Sequence, residues 1–220
     1  MQRLSRYCPL LSLALLLLLP AVSRADTVYS TFGSGQTFNT SAGGWALFCN
    51  APSCGAFQDV AAAFTPTGTF TLTQIDVAAS YLSGTNGIEV MLLSDASGTP
   101  GSILESWSLS NLPPFGTSFT PESVTAALPI TLNSGTQYWV ALVPSVGGFL
   151  TWNFAPTLVG TTDVLGSSTG PNWAADSNQF LPAYDVLGTP VATPEPSSLL
   201  MLWSGLLAVC GTRLRRKRMG

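Results

Sequence analysis

Histidine is absent from the 220 residues, and the eight lysines and arginines are confined to the two ends. They are Arg3, Arg6 and Arg24 at one end and Arg213, Arg215, Arg216, Lys217 and Arg218 at the other. The interior, Asp26 to Gly188, therefore contains no cationic side chain. That excludes Ser-His-Asp and Cys-His catalysis, a Schiff-base lysine and an arginine clamp for phosphate. Ten acids lie in this interior (Asp26, Asp59, Asp76, Glu89, Asp95, Glu105, Glu122, Asp163, Asp176 and Asp185), so it is far more acidic than the net charge of −3 for the whole chain implies. No ion pair between side chains can form there, and such a surface repels phosphate backbones, which excludes nucleic-acid binding. Cysteine is scarce as well: of four, only Cys49 and Cys54 fall in the interior, too few without histidine for a structural zinc site. No amphipathic helical pattern appears outside the two ends, and no repeat of solenoid length is present.

The ends carry the clearest signals. Residues 1–25 read as a secretory signal peptide: Arg3 and Arg6 form the charged region, Leu10 to Leu19 the apolar core, and Ser23-Arg24-Ala25 the small-residue cleavage site. Signal peptidase would then release a chain beginning at Asp26. Cys8 precedes the apolar core, where a lipoprotein cysteine would have to follow it.

At the other end, Pro194-Glu195-Pro196 closes a Pro-rich linker over 189–196, an apolar run occupies 197–212, and 213–220 is the basic tail. The apolar run reaches only about 24 Å as a helix, short of a bilayer core of about 30 Å. The five cations that follow (Arg213, Arg215, Arg216, Lys217 and Arg218) supply snorkelling length and the positive charge that stays cytoplasmic, so a single membrane helix is expected. An ordinary single-pass anchor with a Pro-rich stalk fits the same residues. Taken in order, the three parts resemble the PEP-CTERM sorting signal of Gram-negative bacteria. The resemblance implies export, transient anchoring in the inner membrane, recognition by an exosortase, cleavage near Pro194-Glu195-Pro196, and delivery to the cell surface or the extracellular exopolysaccharide matrix.

Between the ends, residues 26–188 form one domain of 163 residues, long enough to bury a real core. Ile75, Val77, Ala79 and Tyr81 alternate with Asp76, Ala78 and Ser80, which predicts a strand with one face in the core and the other in water. Phe70 and Leu72 have the opposite parity, which predicts a bulge near Thr73-Gln74. Asn86-Gly87 reads as a hairpin turn into Ile88 to Leu93, and Asn133-Ser134-Gly135 as a second between Val124 to Leu132 and Gln137 to Val143. Tyr138 to Val143 is apolar on both faces and is expected to be a central strand. With Ile103 to Leu109, Phe149 to Phe154 and Tyr184 to Leu187, about nine or ten strands are expected. The class is all-β, an antiparallel β-sandwich, with a jelly roll among its forms.

Phe70 to Val77, Thr99-Pro100-Gly101, Leu132 to Trp139 and Trp152-Asn153 together resemble the choice-of-anchor surface domains found ahead of such tails. These domains imply a β-rich exported fold and no catalytic residues.

Cys49 and Cys54, which bracket Asn50 to Ser53, read as a disulfide pinning a loop in an oxidising periplasm. So small a ring would add only about 1 to 2 kcal/mol, mainly as local rigidity. Paired carboxylates could hydrolyse glycosides, but the acids stand singly along the chain. No Asp-x-Asp-x-Asp-Gly loop is present, so no metal ligand set and no cofactor is assigned, although acids without counter-charges leave convergence on Ca²⁺ open. The tryptophans and tyrosines suit either a core or the face of a sugar. Trp45, beside Gly43-Gly44, and Trp173, after Gly170-Pro171-Asn172, are the rings expected to be exposed. The expectation is a non-catalytic exported protein, structural or adhesive at the cell surface. The alternatives are a carbohydrate-binding module for exopolysaccharide and a glycoside-active enzyme.

Overall fold

The computed structural model describes residues 25–40, 43–48, 58–156, 164–167, 173–175 and 180–191. Fourteen strands run through them: β1 (Asp26–Ser30), β2 (Gly44–Phe48), β3 (Asp59–Phe64), β4 (Phe70–Val77), β5 (Ala79–Gly84), β6 (Gly87–Asp95), β7 (Pro100–Ser110), β8 (Glu122–Thr125), β9 (Thr131–Leu132), β10 (Tyr138–Pro144), β11 (Gly148–Asn153), β12 (Val164–Ser167), β13 (Trp173–Ala175) and β14 (Tyr184–Pro190). No helix occurs among the described residues.

The pairing between strands is antiparallel throughout. One sheet runs β1-β14-β4-β8 with β9 also on β4, a six-stranded sheet runs β13-β12-β3-β10-β6-β7, and a small sheet runs β2-β11-β5. They curl as a half-barrel. One apolar core draws on all three: Val28, Ile75 and Tyr184 from the first, Val60, Val90 and Leu142 from the second, Leu47, Leu150 and Trp152 from the third.

Strand β10 lies between β3 and β6, as its two apolar faces predict. Tyr138, Val140 and Leu142 enter the main core, while Trp139 and Ala141 join Ala61, Ala63 and Leu93 in a second cluster on the other face. The expected bulge in β4 is also present. Gln74 faces Leu187 and Leu72 faces Gly188, leaving Thr73 as the extra residue, whose carbonyl accepts the Ala126 N–H at 2.9 Å.

Both expected Asn-Gly-type hairpins are absent. At Asn86-Gly87 the chain leaves the small sheet at β5 and enters the six-stranded one at β6. Asn86 does not turn a hairpin but clamps the backbone of Leu112, its amide donating to the carbonyl at 2.9 Å and its oxygen accepting the N–H at 2.8 Å. At Asn133 to Gly135 the chain passes from β9, paired with β4, to β10 in the six-stranded sheet. Gly135 (φ 72°) donates its N–H to Pro66, so this turn docks on another turn. Local turn chemistry was right about the bends and wrong about the partners, because β10 is apolar on both faces and is buried best between β3 and β6. The tight hairpin joins β6 to β7, where Asp95 accepts the Gly98 N–H at 3.1 Å from each carboxylate oxygen.

Two further corrections concern faces and limits. Asp76, Ala78 and Ser80, expected in water, are 2%, 1% and 2% exposed, because turns and neighbouring strands cover the second face. Thr189 and Pro190, assigned to the linker, continue β14 opposite Thr71 and Phe70.

Candidate functional site

Asp26, the expected first residue after cleavage, opens β1 and faces Gly188 near the end of β14, so the chain enters and leaves the sheets side by side. Ala25 and Asp26 are both exposed. Cys49, Cys54, Pro194, Glu195, Pro196 and the basic residues Arg213, Arg215, Arg216, Lys217 and Arg218 lie outside the described residues, as does the apolar run 197–212. Among the described residues no helix is long and apolar enough to cross a membrane.

The structure separates the tryptophans. Trp45 is not exposed as expected: only 4% of it is accessible. Its Nε1–H donates to the Phe180 carbonyl at 2.7 Å, and its ring meets Phe154 edge-on at 6.1 Å. A ring held on that side cannot stack on a sugar, so Trp45 is withdrawn as a glycan contact. Alternation decides this, since Trp45 and Leu47 share the inward face of β2. Trp173 is half-buried and packs against the second cluster. Among the described residues the most exposed ring is that of Phe119, at 72%.

The acids do not all stand apart. Strands β4 and β14 place Asp76 directly opposite Asp185. Both are buried, at 2% and 5% exposure. Gln36, on the exposed turn between Gly33 and Thr37, reaches over them and donates from one amide nitrogen to Asp76 Oδ2 at 3.0 Å and to Asp185 Oδ2 at 3.3 Å. The Gln74 amide donates to Asp76 Oδ1 at 2.7 Å. Asp185 Oδ1 has no hydrogen-bond partner. Burial raises the Asp185 pKa, the Ser30 hydroxyl and Gln36 amide draw it back, and the neighbouring Asp76 charge raises it again. A glycosidase needs its two carboxyls across a cleft with room for a sugar. Here a single amide spans the pair, and the carboxyls are covered.

Sequence reading missed this constellation. Asp76 was placed in water, and nothing local in Tyr184 to Leu187 signals a partner so distant in the chain.

Two other acids are buried singly. Glu105 Oε1 accepts the Ala127 N–H at 2.8 Å, and Trp107 Nε1–H donates to the Thr125 carbonyl at 2.9 Å, so β7 is clasped by side chains to the chain leaving β8. Asp59, at the head of β3, is 6% exposed and its Oδ1 has no partner. Burial pushes its pKa from 3.8 to about 7. Because the folded value stands above the unfolded one, folding takes up a proton between those limits, and stability falls as pH rises through them. Asp59→Asn is expected to shallow that slope and to raise the urea midpoint above neutral pH while changing it little in acid. An unaltered slope in the variant would assign the titration to another group.

Among the described residues no group of three or more acids or cysteines gathers in a metal-binding arrangement. No protein-family model matches the chain, and no curated protein matches it significantly.

Proposed function

We propose that this is a non-catalytic exported protein, sorted by a PEP-CTERM-like tail to the cell surface or exopolysaccharide matrix, where it is structural or adhesive. The three sheets around one core are read as a β-sandwich carried as cargo between two address segments. Signal peptidase and an exosortase are its processing partners, the inner membrane its transient anchor, and exopolysaccharide its surroundings.

One observation carries this reading. Among the described residues the first strand opens at Asp26, the first residue after the expected cleavage, and the last, β14, ends at Pro190, four residues before Pro194-Glu195-Pro196. Because Asp26 faces Gly188 across β1 and β14, both proposed address segments adjoin one place on the fold, and that supports a division into cargo and labels. The missing cations support the non-catalytic part, since the carboxylates that do meet are covered and share an amide. The carbohydrate-binding alternative loses Trp45 and keeps only a half-buried Trp173.

Mass spectrometry of the secreted species tests the reading at both ends. A chain beginning at Asp26 and ending near Pro194-Glu195-Pro196 is the expected result. A cell-associated protein that keeps Met1 and Gly220 would end the proposal.

A further inference from the structure

Two carboxylates that face each other across neighbouring strands, both at least nine-tenths buried, need compensating charge. In most proteins a lysine or arginine supplies it. Between Asp26 and Gly188 this chain has none, so the compensation has to arrive from solvent as a proton or a metal ion. The donors around the pair are all oxygen-bearing. Asp76 contributes two carboxylate oxygens, and the Gln36 and Gln74 amides, which now donate their NH₂ groups, present carbonyl oxygen when turned end over end. Asp185 Oδ1 is the independent pointer: it is buried on a residue only 5% exposed and makes no hydrogen bond, while the Ser30 hydroxyl beside the same carboxylate adds one more oxygen to the set. A buried anionic oxygen without a donor is a position waiting for a positive partner.

We infer that Asp76, Asp185, Gln36 and Gln74 form a calcium site, with Gln36 as its movable cover. Hard oxygen donors of mixed charge and irregular placement suit Ca²⁺, which takes six to eight oxygens and completes its shell with water. Mg²⁺ demands a stricter octahedron and gives up water reluctantly, and the absence of nitrogen or sulfur donors removes any preference for zinc or copper. Gln36, an exposed residue at φ 58° on a turn, bridges both carboxylates from the solvent side and is the group that would swing to admit an ion. The inference stands apart from the sorting proposal, since it uses only strands β4 and β14 and the turn after β1.

The test uses the purified full chain stripped of metal with a chelator. Tb³⁺, a luminescent stand-in for Ca²⁺, is expected to emit on excitation of the nearby rings, Tyr184 next to Asp185 and Trp152 at 5.7 Å from Tyr184, and to be displaced by Ca²⁺. Millimolar Ca²⁺ is expected to raise the thermal midpoint by about 5 °C at neutral pH, and Asp185→Asn to abolish both responses, while Glu89→Gln keeps them. Equal responses in Asp185→Asn would mark general screening of an acidic surface and overturn the site. So would stabilisation by mild acid with none by Ca²⁺, which would leave a shared proton in its place. If Asp185→Asn does not fold, Gln36→Gly, which suits the positive φ, decides the matter: Ca²⁺ binding several-fold weaker supports the site, and unchanged affinity overturns it.

Discussion

If the chain is processed as proposed, trypsin is expected to leave it whole, even after heating and reduction. The enzyme cuts after lysine and arginine, and from Ala25 to Thr212 there is neither. Resistance of this kind belongs to the covalent chain and does not depend on folding, so denaturation should not relieve it. The same denatured sample should be cut freely by chymotrypsin, given eleven phenylalanines, six tryptophans and five tyrosines in the chain. The unprocessed precursor behaves differently: it loses both ends and converges on the fragment from Ala25 to Arg213. Mass before and after digestion therefore reports processing directly. An unchanged mass means that both basic ends had already been removed, and a loss of mass means that one survived. Amine labelling gives a second reading, because Lys217 is the only lysine, so a fully processed chain offers one amine, at Asp26.

Trp152→Ala is expected to remove about 3 to 5 kcal/mol, a large part of the 5 to 15 kcal/mol that holds a typical domain. The side chain is fully buried, and its Nε1–H donates to the Ala183 carbonyl at 3.0 Å. Its ring meets Tyr184 nearly edge-on, and the Tyr184 hydroxyl donates to the Ala63 carbonyl at 2.9 Å. Trp152, Tyr184 and Ala63 belong to β11, β14 and β3, one strand from each sheet. The substitution would open a cavity where the sheets meet and leave the Ala183 carbonyl with only the Ala78 N–H of its two donors. Urea unfolding should show the midpoint falling by about 2 M for a slope in the usual range. Trp107→Ala, at a half-buried ring on the edge strand β7, should cost clearly less. Equal losses at the two positions would deny Trp152 its central place.

Periodicity over a few residues was a sound guide to β10, to the bulge at Thr73 and to the all-β class, because each depends on which way neighbouring side chains point. Pairing between distant strands was not legible. Asn86-Gly87 has the residues of a tight turn, yet the strands it joins bury more surface in different sheets than they would against each other. Asp76 looked solvated because part of what covers it, Gln36, sits on a turn forty residues earlier. Asp185 carried no local mark of its neighbour, and only β14 lying against β4 brings the two together. Trp45 was misjudged from Gly43-Gly44 beside it, when its parity with Leu47 already set it inward.

The side-by-side position of Asp26 and Gly188 has a mechanical consequence. Tension applied between those two points would peel β1 from β14 one rung at a time, the direction in which a ladder of hydrogen bonds resists least. A single tether at the end of β14 applies no opposed pull between those two points, and its load is shared by the ladders to β1 and β4. A chain freed at its front end and held only from behind can be dragged by flow without being unzipped.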